Sequence, residues 1–577
     1  MTARQRVIFW SVAAICALSR FAAMARSMWD WDEALFCLSM RDYDVTSHHP
    51  HPPGFPVYIA MARVVRLAVD SDFRAFQTLN LIAGMLVFPA LFLFARQIGL
   101  RFESSVIAGA LFAFFPNVWF FGGTAFSDVP SIVLVLFAVV FLFRGGGSRR
   151  DYLIGTALLA LAAGIRPQNL LVGLFPGLLA SRRRAPGEVL LALLIGVVIA
   201  AVAFGGAVHA TGELSEYLRS IREHADYISR IDSFRNPDRP PLWRIFDRFF
   251  LRQYQSAALG IVTSLLVIVS VIGTIRTRDR AMLFNFLTFA PFAVLAWLML
   301  DRFSINRFSI GYAPMFAVFA ADGVRRLAGG RSRAEWLLGG ALVAGFGAWT
   351  LPALQPVRNE ISPTVRAVEA AKRRIDPAGE TLFVGYSMGP FVEYLAPELP
   401  FIRVIGETAA PLTPAGKPVL LAELQKGPRE GLVFTRERGR LWNIARRHYF
   451  EVVLQPLRNI PSFEEGWYEA QRDGMDEKRW MAGRSMTILP PAPGRRELRL
   501  LFNVPPPLLG STVTVSLNGR VIDRISVESL EVARDYEVDP APAGVANRLH
   551  LEIDRTVDES GGPHGLRLRF LGWGVAD

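Results

Sequence analysis

Only two cysteines, Cys16 and Cys37, occur in 577 residues. That excludes a disulfide framework, and since Cys16 sits inside an apolar run the pair says nothing about redox compartment. Charge is scarce as well: 20% of the chain is charged and 51% is hydrophobic, with a mean hydropathy of +0.29. An ordinary soluble globular protein does not have that balance, and a polytopic membrane protein does. Heptads, short tandem repeats and low-complexity tracts are missing, which excludes a coiled coil or a repeat array. No small-residue cleavage site follows the basic start MTARQR and its apolar segment, so this segment reads as a retained first span.

What is present is a series of apolar runs near the 20 or so residues that a spanning helix needs. They cover residues 7–25, 78–95, 105–122, 129–143, 189–208, 257–275, 281–300, 308–321 and 335–351. Two shorter pieces between 153 and 180, separated by Arg166-Pro167-Gln168, read as a tight pair and bring the expected total to about eleven spans. The net charge of +12 lies in arginine clusters between these runs, which is the pattern of loop topology rather than of nucleic-acid binding. If each run crosses once, the clusters at Arg4 and Arg6, Arg96 and Arg101, Arg144 to Arg150, Arg182 to Arg184, Arg276 to Arg280, and Arg325 to Arg333 fall on one side. That side is the cytoplasm. The expected location is a bacterial-type cytoplasmic membrane with a cytoplasmic N-terminus. Residues 55–69 would break the charge bias if they crossed, and they carry Arg63 and Arg66, so they read as an interfacial helix on the outer face.

The outer loops hold the chemistry. Residues 29–58 pack Asp30, Asp32, Glu33, Asp42, Asp44, His48, His49 and His51 beside the membrane, where ionisable groups are costly and tend to serve a task. The loop at 209–255 mixes aromatic and charged residues like an amphipathic cover at the membrane surface. Its Tyr217, Tyr227 and Trp243 suit interfacial anchoring or sugar stacking. The expected domains are a membrane domain over 1–352, a small outer α/β domain over 353–462 and a β-sandwich resembling jelly rolls over 463–577, the last two from their strand-like runs broken by Pro and Gly. Residues 385–389 match G-x-S-x-G. A unit of about a hundred residues with His448 as its one histidine is a poor hydrolase, and a tight strand-to-helix turn accounts for the two glycines.

Taken in order, WDWDEALF at 29–36, HHPHPPGFPVY at 48–58, FSDVP at 126–130, GIRPQ at 164–168 and NRF at 306–308 resemble the polyprenyl-phosphate-dependent GT-C glycosyltransferases, which include protein O-mannosyltransferases and aminoarabinose transferases. The resemblance covers about residues 1–351. It implies an α-helical membrane fold with an outer active site, a sugar donor carried on a polyprenyl phosphate, inversion at the sugar carbon, and a glycan, lipid or protein acceptor. It also carries the family's acidic-loop role onto Asp32 and Glu33. Asp30, two residues earlier, leaves the choice of base open among the three.

Removing the acceptor's proton needs one carboxylate, while the leaving phosphate needs no general acid. Asp32 is the expected base, with Glu33 or Asp30 positioning the acceptor; as an N-cap residue type, Asp30 also suits the start of the helix through Met40. His51 matches the family's His-Pro-Pro and is expected to bind substrate. A divalent metal on His48, His49 and His51 is a second reading of the same histidines. Arg166, Arg302 and Arg307 are candidates for the phosphate, since guanidinium forks fit its oxygens, although interfacial snorkelling also explains such arginines. Asp128 opens a span with Pro130 in its first turn, where capping and substrate contact both fit. The competing functional class is a non-catalytic protein that transports or organises envelope polysaccharide, which would be expected to show ionisable residues within its spans and internal symmetry.

Overall fold

The computed structural model describes all residues except 145–147, 232, 237–238, 300–304, 405–415, 424–430, 437–450, 458–459, 474–475, 492–495, 543, 560–561 and 574–577. Arg302 and His448 therefore lie outside the described residues. Two compact units are present, one over Met1–Ser362 and one over the described residues from Pro363 onward.

The first unit is helical. Its long helices are α1 (Ala3–Ser19), α4 (Asp72–Gln97), α10 (Pro186–Thr211), α13 (Ala257–Thr277), α14 (Arg280–Leu298), α15 (Ile305–Leu327) and α16 (Ser332–Asn359). At 1.5 Å per residue the 26 residues of α10 reach ~39 Å, more than a bilayer's hydrocarbon core. Leu190, Leu193, Leu194, Val197, Val198 and Val202 on this helix are each more than half exposed, a surface suited to acyl chains and not to water. Among the described residues, six helical segments, beginning at Ala3, Asp72, Pro186, Ala257, Arg280 and Ser332, are long and apolar enough to cross a membrane, which suits a multi-pass membrane protein. The count of eleven full spans is not reached by that measure, because several of the expected runs form shorter helices.

One correction has a local cause. The run expected to cross as a single helix over 105–122 is split into α5 (Phe102–Phe114) and α6 (Pro116–Phe121). Pro116 offers no N–H and drives Phe115 out of the helical region, to φ −58° and ψ 131°. Other short pieces are α7 (Asp128–Phe143) and the pair α8 (Arg149–Ile165) and α9 (Leu170–Ser181), which turn at Arg166 and Pro167 as the sequence indicates.

Among the described residues this unit also holds α2 (Trp31–Arg41), buried from Asp32 to Ser39, and the amphipathic helices α3 (Pro56–Arg66), α11 (Leu214–Ile231) and α12 (Leu242–Phe250). At 11 residues α3 is too short to cross. It buries Tyr58, Ile59 and Ala62 and turns Arg63 and Arg66 outward, where Arg66 meets Asp72 at 2.8 Å.

The second unit starts with α17 (Pro363–Arg374) and contains α18 (Gly389–Leu395). Strands β1 (Glu380–Gly385), β2 (Phe401–Val404) and β3 (Lys417–Glu423) pair in parallel; β4 (Leu432–Thr435) and β5 (Glu451–Pro456) add to the β3 side antiparallel. Next come β6 (Ser462–Phe463), β7 (Trp467–Asp473), β8 (Asp476–Met481), β9 (Arg484–Leu489), β10 (Arg496–Asn503), β11 (Thr512–Leu517), β12 (Arg520–Ser526), β13 (Glu531–Val538) and β14 (Asn547–Ile553). A small ribbon of β15 (Val557–Glu559) and β16 (Gly562–His564) precedes β17 (Arg567–Trp573).

The separate α/β and sandwich domains expected here are one unit, because β8 pairs with β2 and continues the parallel strands into β17, β10 and β13. That sheet faces the layer β12-β11-β14-β9-β6 across a core of Leu498, Leu500, Phe502, Val513, Val515, Leu549 and Leu551. Alternate residues of β11 and β14 are buried, the period-two pattern that the sequence shows. The boundary falls at Ser362 and Pro363 rather than at 352, since α16 continues through Pro352 and Pro356 to Asn359. Residues 385–389 make the strand-to-helix turn between β1 and α18.

Candidate functional site

The site is built from the chain entering α2. Asp30 is the N-cap: its carboxylate accepts from the Asp32 backbone N–H at 3.1 Å, and Glu33 reaches back in a capping box. Glu33 does more than cap. Its Oε2 accepts from the backbone N–H groups of Trp29 (2.5 Å) and Asp30 (3.0 Å), while Oε1 accepts from Ala125 N–H at 2.9 Å. Burial pushes its carboxyl up to about 8 despite those three donors.

A second clasp lies beside it. Ala25 N–H donates to the Gly123 carbonyl, and the Gln77 amide donates to the carbonyls of Ala25 (2.8 Å) and Gly123 (2.7 Å). Together these bonds hold the entry to α2 against the loop that leads into α7, which puts Asp32 and Asp128 in one place.

Neither Ser127 nor Asp128 caps α7 with its side chain. Asp128 turns instead to Arg166, whose Nη1 lies 3.0 Å from Oδ2 and 3.1 Å from the Ser127 hydroxyl. Arg166 ends α8, and the turn after it is fixed by the Asn169 amide donating to Ser131 at 2.8 Å and by Ser131 donating to the Ala162 carbonyl. From the first turns of α15, Arg307 completes the group: it hydrogen-bonds the Asp32 carboxylate, and its Nε is 3.7 Å from Asp128. Arg307 lies over the Phe126 ring and Arg166 over the Phe308 ring. The α15 end is tied to α6 by the Asn117 amide donating to Ser309 at 2.7 Å.

Asp32, Asp128, Arg166 and Arg307 thus form a quartet of two carboxylates and two guanidiniums. Side-chain exposure is only 5–6% for the first three and 17% for Arg307. These arginines are paired inside the protein and do not snorkel. A buried ionic group of this kind costs desolvation energy that apolar residues would avoid, which is why such clusters mark functional positions.

The histidines divide. His49 is buried and pairs with Asp44 through the backbone, and its ring stands 3.8 Å from Asp42. His51 lies against Phe55 and Phe36, with ring centroids at 4.8 and 6.1 Å. His224 of α11 comes within 5.7 Å of His51 and 5.9 Å of His48. Among the described residues no group of three or more His, Cys, Asp or Glu side chains is arranged to hold a metal.

His224 went unnoticed in the sequence, where it is one charged-looking residue in a surface helix. Its spacing from Tyr217 and Ser220 was the available signal, since all three fall on one face. Tyr217 donates to the Pro53 carbonyl at 2.8 Å and Ser220 to the Val45 carbonyl at 3.2 Å, so that face lies against the first loop. Tyr217 is buried there, while Tyr227 and Trp243 are exposed.

No protein-family model matches the sequence, and no curated protein matches it. Solved structures do. ArnT from Cupriavidus metallidurans bound to undecaprenyl phosphate is 11% identical with a TM-score of 0.50, covering 79% of this chain and 98% of that one. The arabinofuranosyltransferase AftD from Mycobacteria covers 99% of this chain and 58% of its own at 10% identity and a TM-score of 0.45. The oligosaccharyltransferase AglB from Archaeoglobus fulgidus, in complex with an inhibitory peptide and a dolichol-phosphate, covers 68% and 64% at 13% identity and 0.44. The likeness to ArnT shows that the chain shares that protein's fold.

Proposed function

We propose that the protein is an inverting glycosyltransferase that moves a sugar from a polyprenyl phosphate to an acceptor hydroxyl on the outer face of the membrane. The observation that carries this reading is the buried Asp32–Arg307–Asp128–Arg166 quartet at the loop ends of the helical unit. A likeness in fold to the undecaprenyl-phosphate complex of ArnT supports the same class of donor.

In this mechanism Asp32 is the base. The donor's phosphate competes for Arg307 and draws that guanidinium away from the carboxylate, which leaves Asp32 to take the acceptor proton. The acceptor oxygen then bonds to the anomeric carbon as the carbon–oxygen bond to phosphate breaks. The electron pair leaves on the phosphate, whose charge Arg307 and Arg166 offset. Attack from the face opposite the phosphate inverts the centre. Asp128 keeps Arg166 oriented, while Asp30 and Glu33 hold the start of α2 so that Asp32 points at the reacting atoms.

The test is to incubate purified protein with a panel of radiolabelled polyprenyl-phosphate hexoses and pentoses and ask which is consumed. Asp32→Asn is expected to lower transfer by about 10²- to 10⁴-fold, the usual worth of a positioned base, with unchanged thermal unfolding. Turnover retained by that variant would remove Asp32 from the role.

A further inference from the structure

We propose that His51 and His224 form a polar subsite for the hydroxyls of the donor's sugar ring, with α11 as the roof that brings His224 down onto it. The inference rests on the function proposed above, and it adds which part of the donor these two side chains take. The two residues come from separate elements. His51 is fixed in the first loop, and His224 is presented by α11 two turns after Tyr217, the residue that bonds the loop's Pro53 carbonyl.

Three observations point to a ligand here. The Nδ1 of His51 is buried and has no hydrogen-bond partner among the described residues, a cost that native proteins avoid unless something else supplies the partner. The two rings lie 5.7 Å apart and tilted by 34°, so they are close enough for one small polyhydroxyl ring to meet both. The charges of Asp32 and Arg307 are felt at the His51 ring, and that of Asp32 at His224, so the pair adjoins the ionic quartet.

Chemistry then assigns the occupant. Burial pushes His51 down to about 3 and His224 down to about 4, against the opposing pull of Asp32, so both imidazoles are uncharged near neutral pH. A neutral imidazole offers one N–H donor and one lone pair, which is the complement of a hydroxyl that can do either. It is a poor partner for a phosphate, and Arg307 next to it is a good one. The Phe55 and Phe36 rings beside His51 add an apolar wall for the carbon–hydrogen face of a sugar.

The full-length protein in detergent tests this with two lipids measured in parallel: polyprenyl phosphate alone, and the polyprenyl-phosphate sugar that the wild type consumes. His224→Leu is expected to weaken binding of the sugar-bearing lipid by about 5- to 20-fold, the loss of one to two hydrogen bonds, while the bare lipid phosphate binds as before. His224→Gln keeps a donor and an acceptor and is expected to recover part of the loss. In turnover the change in His224→Leu should appear mainly in the donor KM. His51→Leu should act in the same direction, and its thermal unfolding is followed to separate a folding defect from a lost contact. Equal weakening toward both lipids, or no weakening toward either, would overturn the sugar assignment and leave the proposed function standing. Failure of the wild type to bind either lipid would overturn both.

Discussion

Asp128 shows how much a single side chain in the quartet has to hold. It faces Arg166 at 3.0 Å and Arg307 at 3.7 Å with almost no access to water, so Asp128→Asn takes from two buried guanidiniums the carboxylate that lies against both. We expect a loss of about 3–5 kcal/mol, the cost of stranding a buried charge, read from thermal or denaturant unfolding in detergent. Adding Arg166→Gln to that variant should recover part of the loss, and strictly additive losses would show that the two side chains act independently. Glu33 titrates in the opposite sense from a salt-bridged acid. Its folded value of about 8 lies above the unfolded 4.5, so its contribution to stability is full below pH 4.5 and drains away as pH rises through 8. The unfolding midpoint of the wild type should therefore fall more steeply from pH 6 to 9 than that of Glu33→Gln; equal slopes would reject the assignment. The substitution should itself cost about 1–3 kcal/mol, because one of the oxygens that accept from N–H becomes an NH₂. Asp32, Asp128, Arg166 and Arg307 could each be picked out in the sequence from their motifs at loop ends. Their pairing could not, because Arg307 reaches Asp32 across 275 positions and nothing local encodes that distance.

The loops that meet at the site are set by close backbone approach between elements. A Cβ on Gly123 would run into the Ala23 carbonyl oxygen, well inside van der Waals contact, and that backbone has no room to give. The approach is what lets Ala25 and Gly123 bond each other and share the Gln77 amide. Gly123→Ala is therefore expected to cost about 1–3 kcal/mol by overpacking and to lower transfer by displacing the loops that carry Asp32 and Asp128. Melting and transfer that both match the wild type would refute this. Many helix positions were readable because apolar runs of spanning length leave few alternatives, and Arg63 and Arg66 argued against a crossing at α3, which has only 11 residues. The break at Pro116 shows the limit of hydropathy: the run from 105 to 122 is apolar apart from Ser105 and Asn117, and the pyrrolidine ring interrupts the helix within it. For α11, amphipathicity announced a surface helix but not which neighbour its polar face would meet.

On the scale of the whole chain, the apolar runs made the helical character of the first unit legible, while strand pairing was the part least visible. The two regions after Pro363 differ in sequence texture, one mixed and one alternating, yet β2 and β8 join them edge to edge, because sheet edges pair through backbone groups that side-chain patterns do not report. Charge also yields a prediction about orientation. With each run crossing toward the side its arginines dictate, the turn between α9 and α10 faces the cytoplasm and the start of α11 faces outward with the proposed active site. The native cysteines suit a direct test, since Cys16 and Cys37 are both fully buried and give little background. Arg183→Cys and Ser215→Cys each place a single thiol at an exposed position. A membrane-impermeant maleimide added to intact cells, after permeabilisation of any outer envelope, should label Ser215→Cys and spare Arg183→Cys until the cytoplasmic membrane is broken. The reverse pattern would put the Asp32 quartet on the cytoplasmic face, where a sugar donor presented in the outer leaflet could not reach it, and the proposed reaction would have to be abandoned.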